Sequence, residues 1–184
     1  MKEFGGHNWR VLVVEDGKAL LLSEQVLERK QYHSQKVAVT WKSSTIRKYL
    51  NTEFLETFSQ ADRKRILETK VVTNNDNPWY GTQGGAATTD KIFLLSLEEL
   101  VQYFGDSGKL KNRSGQDDYS FSDQYSQSRI AYTKDGTGSW WWLRSPGHFT
   151  NHAALVITDG VVGVNGLSVS RISGVRPALW LKIE

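Results

Sequence analysis

The chain has 184 residues, of which 39% are hydrophobic and 11% aromatic, which is enough for one domain with its own core. Its 23 basic and 20 acidic residues are interspersed and give a net charge of +3, a distribution that argues against a nucleic-acid-binding surface. The absence of cysteine excludes disulfides, thiolate metal sites and cysteine nucleophiles. No stretch resembles the core of a signal peptide or a membrane-spanning helix, so we expect no transmembrane segment.

The first hundred or so positions predict a β-hairpin followed by helices. Apolar, β-branched runs at 9–14 and 18–23 flank the turn residues 15–17, which is typical of a hairpin. Ser43 or Ser44 can cap a helix in which apolar residues recur at helical spacing up to Phe54 and more loosely to position 58. A capping-box-like pattern at 59–62 predicts a helix over 60–69, and a better one at 96–99 predicts a short helix that ends at Gly105.

Residues 105–138 form a polar stretch rich in Gly, Ser, Asp and Lys, with scattered aromatic residues at Tyr119, Phe121, Tyr125 and Tyr132. Long irregular segments in compact domains often lie over a functional face. We interpret this stretch as an excursion, that is, a long irregular segment that its aromatic side chains hold against the domain. The alternative is a mobile surface loop with no role.

The remaining sequence predicts strands. Residues 139–144, SWWWLR, form a strand whose three tryptophans must cover both faces of a sheet and need partners for their indole N–H groups. The turn signals Asp159-Gly160 and Asn165-Gly166 predict short antiparallel strands at 153–158, 161–164 and 167–172. A strand at 175–183, with Pro177 at an edge or bulge, closes the chain. Strands at both ends with helices between them predict an α+β domain whose terminal strands share one sheet.

Residues suited to catalysis or metal binding are few. None of the four histidines has a carboxylate at a triad-like spacing, and no glycine-rich phosphate loop precedes a helix. His148 and His152 follow Pro146-Gly147 in a loop, where a four-residue spacing does not favour a shared zinc ion. Residues 74–78 contain one carboxylate and lack the calcium-loop pattern, so they favour a turn. We therefore expect no catalytic residues, no metal and no cofactor.

Five residue types are missing together from one long window. Lys, Glu, Gln, Met and Trp account for 40 of the 184 residues, so the 37 positions between Trp142 and Trp180 should hold about eight of them. They hold none, although His, Asn, Asp, Arg, Ser and Thr all occur there.

A family resemblance bears on this gap. The motifs that carry it are Trp41-Lys42, STIRKYLN at 44–51, DKIFLLS at 90–96, WWLRSPG at 141–147 and VRPALW at 175–180. Together they resemble, over nearly the whole chain, a bacterial domain of unknown function that is common in gut Firmicutes. That family in turn resembles the C-type lectin-like fold of formylglycine-generating enzymes and of the variable proteins of diversity-generating retroelements. The resemblance implies a single α+β domain over 1–184 with a mixed or antiparallel sheet, short helices and long irregular loops.

In many relatives, Asn dominates the region after the Ser-Pro-Gly, around a fixed set of residues that we call the frame. The frame here comprises Ala153, Ala154, Val156, Asp159, Gly160, Val162, Gly166, Val169, Val175, Arg176, Pro177, Ala178 and Leu179. The positions between them, which we call the slots, define a variable region at 148–173. They hold His148, Phe149, Thr150, Asn151, His152, Leu155, Ile157, Thr158, Val161, Gly163, Val164, Asn165, Leu167, Ser168, Ser170, Arg171, Ile172 and Ser173.

The resemblance suggests why five residue types are absent. Such retroelements replace adenines, and an Asn codon that ends in a pyrimidine can then encode most residues but never Lys, Glu, Gln, Met or Trp. The alternative is that buried strands avoid Lys, Glu and Gln in any case. That alternative predicts apolar alternation, whereas the slots mix His, Asn, Ser, Arg and Thr with Leu and Ile.

The implied function is a hypervariable, receptor-recognising protein that binds a macromolecule, protein rather than glycan, and not nucleic acid. Phe149, Leu155, Ile157 and Leu167 would be the apolar anchors, with His148, His152, Asn165 and Arg171 as polar contacts. The alternative is a non-variable accessory domain of a larger bacterial surface or phage protein. An oxidase of the formylglycine-generating type is disfavoured because the chain has no cysteine. We expect a surface or phage location if a leader or neighbouring domain was removed, and otherwise a cytoplasmic one.

Overall fold

The structure is a computed structural model that describes residues 1–72, 76–113 and 117–183. The strands in these ranges are β1 Lys2–Phe4, β2 His7–Glu15, β3 Lys18–Ser23, β4 Glu28–Gln31, β5 Thr69–Val71, β6 Thr88–Asp90, β7 Ser120–Phe121, β8 Ala131–Tyr132, β9 Gly138–Ser139, β10 Trp141–Pro146, β11 His152–Val156, β12 Val162–Ser168, β13 Ile172–Val175 and β14 Ala178–Lys182. The α-helices are α1 Thr45–Tyr49, α2 Gln60–Arg65, α3 Leu97–Phe104, α4 Lys109–Asn112 and α5 Ser126–Arg129. The predicted α+β class is confirmed. None of the described helices is long and apolar enough to cross a membrane.

The first sheet joins the two ends of the chain. Its strand order is β1-β2-β3-β14, with antiparallel pairing throughout. The predicted hairpin is β2–β3, and its turn residues Asp16 and Gly17 both have positive φ, which an Asp-Gly pair tolerates. β14 pairs with β3 from Ala178 opposite Leu22 to Lys182 opposite Lys18. The prediction that the terminal strands share one sheet is therefore confirmed.

The second sheet is mixed and carries the predicted variable region. Its order is β4-β13-β10-β11-β12-β7, in which only the pair β10 and β13 is parallel among the described strands. Gly174 makes this parallel contact possible, because a Cβ there would lie 2.2 Å from the carbonyl oxygen of Trp140. Its amide instead donates to that oxygen at 2.9 Å.

The helices follow their predicted capping residues, with one error in length. Ser44 caps α1, which continues as a π-helical segment over Leu50–Phe54. Ser96 and Glu99 form the predicted capping box of α3, and Gly105 ends that helix. The predicted helix over 60–69 is wrong beyond Arg65, because Ile66 is extended and forms a β-bridge with Leu181.

The predicted turn at Asn165-Gly166 is wrong. These residues lie inside β12, which pairs with β11 on both sides of them, Gly163 opposite Leu155 and Leu167 opposite Ala153. The extra residues form a bulge in which Gly166 has a φ of +75°. A Cβ at Gly166 would lie 2.4 Å from the carbonyl oxygen of Ala153, so a glycine is required where the two strands approach.

The three consecutive tryptophans differ in environment. Trp141 and Trp142 are fully buried in β10, and their indoles donate to the carbonyl oxygens of Arg129 and Lys30 at 3.1 and 2.9 Å. Trp140 precedes the strand and is 41% exposed. The prediction of a three-tryptophan strand buried on both faces therefore holds only for the last two residues.

The excursion over 105–138 is held partly by an aromatic residue and partly by an ion pair. Phe121 is buried in β7, but Tyr119 and Tyr132 are exposed, so the prediction that its aromatic residues pin it is wrong for these two. Arg129 and Asp123, both with fully buried side chains, form an ion pair at 2.8 Å. Arg129 also donates to the carbonyl oxygen of Gly105 at 3.0 Å, so the ion pair is tied to the end of α3.

Two of the family-like motifs contribute buried arginines. Arg144 forms an ion pair with Glu99 and donates to the carbonyl oxygens of Leu94 and Val72. Arg176 packs over Trp141, with 4.9 Å between its guanidinium carbon and the ring, and donates to the carbonyl oxygen of Ser23. These arginines join the two sheets and α3 into one core.

Candidate ligand-binding face

Burial separates the frame from the slots. Eleven of the thirteen frame residues are buried, and the exceptions are Asp159 and Gly166 in a turn and the bulge. Fourteen of the eighteen slots are exposed or half-buried. The most exposed apolar slots are Phe149, with 55% of its surface accessible, and Ile172, with 60%.

Four slots lie in the core and are corrections to the predicted binding residues. Leu155 pairs with Trp142 on a covered face, and Gly163 lies opposite it, where an added Cβ would come within 3.2 Å of the Leu155 side chain. Val164 is fully buried, and Ser173 is buried opposite β4. Leu155 therefore packs in the core and cannot contact a partner as an apolar anchor.

One group of slots lines a cavity of about 570 Å³ at the start of β10. Thr158, Leu167, Arg171 and Ile172 form one side, and the hairpin β8–β9 forms the other. Trp140 lies between the two sides, and its indole N–H donates to the Thr158 hydroxyl at 2.8 Å. We call this site the tryptophan cavity.

A second group of slots lines an open groove of about 780 Å³. His148 is stacked between two aromatic rings, with 4.0 Å between its centroid and that of Tyr80 and 4.3 Å to that of Phe149. His152 meets the ring of Phe149 edge-on at 5.1 Å. Lys36 lines the same groove, which we call the histidine groove.

The two sites adjoin along β12. Leu167 lines the tryptophan cavity, and the next residue, Ser168, pairs with His152 in the histidine groove. The hydroxyl of Ser168 lies 3.2 Å from that of Ser170, whose carbonyl oxygen accepts from the Gln31 side chain at 2.7 Å. The exposed slots therefore line two separate open depressions, which neighbouring residues of β12 border.

The loop that carries the histidine groove is held by backbone contacts. The Asn77 amide, which is buried, donates to the carbonyl oxygens of Pro146 and Val164, both at 2.9 Å. The Thr82 hydroxyl donates to the carbonyl oxygen of His148 at 2.7 Å. The acceptors are all main-chain atoms, so these bonds do not depend on the identity of the side chains at 148–152.

A comparison with protein families assigns the chain. The family model described as "Domain of unknown function (DUF6273)" matches residues 16–183. The chain belongs to this family. No curated protein and no solved structure matches it. The match of the DUF6273 domain includes the tryptophan cavity and the histidine groove in full.

Burial affects the protonation of one slot residue in the DUF6273 domain. Partial burial lowers the pKa of His152 below its ordinary value, although a backbone hydrogen bond at Asn165 opposes the effect. The Nδ1 atom of His152 is buried and has no hydrogen-bond partner among the described residues. A neutral ring is therefore favoured at this position.

No group of three or more His, Cys, Asp or Glu side chains comes together within residues 1–72, 76–113 and 117–183. His148 and His152 share the histidine groove, and Asn74 and Asn75 of the predicted turn lie outside the described residues. What the face offers is stacking surfaces, hydroxyls and cationic groups.

Sequence reasoning missed several residues of the face. Arg29, Tyr80 and Trp140 line its depressions although none belongs to the slots. The sequence did contain one signal for this part of the face. Asp135-Gly136 is a turn pair of the same kind as Asp159-Gly160, and it lies in the hairpin β8–β9. Arg29 and Tyr80 had no such signal, because their place on the face depends on contacts between distant strands.

Proposed function

We propose that this DUF6273 domain binds a macromolecular partner, protein rather than glycan or nucleic acid, through the exposed slots. We further propose that a retroelement diversifies those slots on a C-type lectin-like scaffold. The function is recognition, and no catalytic step is assigned to the face.

The observation that carries this proposal is the exposure of the slots that lack Lys, Glu and Gln. Avoidance of these residues is ordinary in buried strands, but only Leu155, Gly163, Val164 and Ser173 are buried. Elsewhere in the described chain every Lys, Glu and Gln is exposed or half-buried. The fourteen accessible slots are thus the kind of position where these residues should occur, and burial does not account for their absence.

The burial of the frame residues also supports the proposal. Ala153, Ala154, Val156 and Val162 are at most 1% exposed and provide packing that does not depend on the slots. Exposed substitutions usually change stability by less than about 0.5 kcal/mol. A stable frame with tolerant accessible positions is the arrangement that diversification requires.

The shape of the face favours a macromolecule. The tryptophan cavity and the histidine groove are both open, and they are bordered by the neighbouring β12 residues Leu167 and Ser168. Small molecules prefer enclosed apolar pockets, whereas protein partners cover broad and shallow surfaces. The C-type lectin-like part of the proposal rests on the motifs, and the mixed sheet with short helices and long irregular segments is compatible with it.

The decisive experiment is to resequence this locus across a clonal population and to record variation codon by codon. We expect substitutions at the accessible slots, without Lys, Glu, Gln, Met or Trp, and an unchanged frame. The control is the segment 1–142 of the same reads. Variation spread evenly over the chain, or none at all, would contradict diversification.

A binding experiment tests the face itself. The slots of a differently sequenced relative are grafted onto this frame, with the four buried slots left as they are. We expect the captured partner to change while the circular dichroism spectrum stays the same. If both versions capture the same partner with the same affinity, the face is not variable in function, and the accessory-domain alternative replaces the proposal.

A further inference from the structure

The tryptophan cavity combines an apolar floor with cationic groups. Trp140 is 41% exposed and Ile172 60%, and Leu167 completes the apolar surface. These three side chains supply an apolar surface on which an apolar side chain of a partner can pack.

Two arginines border this floor. Arg29 and Arg171 are both exposed and line the cavity. Within the described residues, neither guanidinium makes a hydrogen bond or an ion pair, unlike the buried Arg129 and Arg144. Each guanidinium can therefore donate two hydrogen bonds to a carboxylate in the geometry that arginine prefers.

One carboxylate also lies at the cavity, and it is already engaged. Asp135 accepts hydrogen bonds from the Thr133 hydroxyl at 2.5 Å and from the Thr137 amide at 3.0 Å. These bonds lower its pKa, so Asp135 stays ionised within its own turn. The cavity keeps a net charge of +1, with both positive groups unpaired.

The cavity has a part that the slots do not change. Arg29 and Trp140 are outside the slots, whereas Leu167, Arg171 and Ile172 belong to them. Arg29 lies opposite Gly174 in the pairing of β4 with β13, and Gly174 in turn bonds to the main chain of Trp140. The fixed part of the cavity therefore has one cation, on β4, and one aromatic ring, on the residue that precedes β10.

We propose that the tryptophan cavity of this chain binds an acidic polypeptide segment in which an apolar side chain is flanked by Asp or Glu residues. The apolar side chain packs on Trp140, and the flanking carboxylates pair with Arg29 and Arg171. This inference rests on the proposed protein-binding function and names the chemistry of the partner.

The test uses a short synthetic peptide with a central Leu-Phe pair flanked by Asp and Glu. The protein carries fluorotryptophan, and Trp140→Phe identifies the Trp140 signal among those of the seven tryptophans. We expect this peptide to shift the Trp140 signal, and binding to weaken as salt is raised, because the pairs are exposed to solvent. A peptide with Lys in place of the acidic residues and one with Ser in place of Leu-Phe are the controls.

Charge variants locate the site. Arg29→Gln and Arg171→Gln should each weaken binding by about tenfold at low salt, and Asp135→Asn should strengthen it. Lys134→Gln removes an equal charge from an exposed residue of the same hairpin outside the cavity, and should have little effect. The double variant Arg29→Glu with Arg171→Glu should prefer the Lys peptide.

Three results would overturn the inference: no shift of the Trp140 signal at saturating peptide, equal binding of the Lys peptide, or equal effects of Arg29→Gln and Lys134→Gln. These outcomes are separate from those of the proposed function. A graft that switches partners while the acidic peptide fails to bind would reject the inference alone. If resequencing finds no diversification but the acidic peptide binds, diversification is rejected and the acidic-segment site is retained.

Discussion

Frame and slot residues lie in the same strands but in different environments. Val162 is fully buried in β12, whereas Leu167 and Ser168 of the same strand are half-buried. In β13, Val175 is buried and Ile172 is exposed. The same contrast occurs between neighbours, since Trp140 is exposed and Trp141 is not. Tolerance to substitution is therefore set residue by residue by what covers the side chain, and not by the element that carries it.

The largest expected effect comes from the buried tryptophans. Trp142→Ala should lower the free energy of unfolding by about 3–5 kcal/mol, because it removes a large core side chain. The ring packs at 5.7 Å from that of Tyr32 and has a bonded indole. Trp140→Ala is the matched control and should cost about 1 kcal/mol or less. Urea unfolding measures both, and equal losses would contradict the contrast between neighbours.

The next effect concerns a slot that the structure places in the core. Val164→Asn, a change that the codon mechanism allows, should cost about 2–3 kcal/mol, because an amide would be buried without room for partners. Thr150→Asn at an exposed slot should change stability by less than about 0.5 kcal/mol. Thermal and urea unfolding of the two variants check this, and a tolerated Val164→Asn would show that burial does not limit the slots.

A smaller effect on stability is expected when several accessible slots are replaced at once. Replacing Ile157, Thr158, Leu167, Ser168 and Arg171 together with other residues encodable from mutated Asn codons should leave the melting temperature within a few degrees. All five are exposed or half-buried. Five replacements in the buried frame are the control and should abolish cooperative unfolding. Similar damage from both sets would remove the distinction between frame and slots.

The smallest effect is a pH dependence. Burial lowers the pKa values of His7 and His152, so the unfolded chain binds protons more readily than the folded one. Stability should therefore be full above the ordinary histidine pKa of about 6.5 and fall as the pH drops below it. His152→Asn should reduce this slope, as measured by urea unfolding at a series of pH values. An unchanged slope would assign the dependence to other groups.

Features set by neighbouring residues were predictable from the sequence. The Asp16-Gly17 turn and the capping box of Ser96 and Glu99 depend on contacts within a few positions, and both form as expected. Asn165-Gly166 misled because the same positive φ at glycine serves a bulge as well as a hairpin. The choice between them is made by β11, which the sequence near Gly166 does not encode.

The candidate face was predictable as a segment but not as a surface. Fourteen of the eighteen slots are accessible, yet alternation in the sequence did not separate Leu155 and Val164 from their exposed neighbours. The register shift between β11 and β12 changes which side of the sheet each residue faces. Arg29 and Tyr80 join the face only through pairing of distant strands.

The pairing of β14 with β3 has a consequence for the order of folding. β14, the strand that follows the slots, pairs with the edge of β3 that β2 leaves open, so the chain must close a very long loop before that edge is covered. During synthesis, the edge of β3 stays unpaired until the last strand has been made, and an unpaired apolar edge is prone to aggregation. The refolding rates of slot variants would measure how long the edge of β3 stays unpaired. We expect slot variants that slow the pairing of β14 with β3 to be lost to aggregation before their binding to a partner is tested.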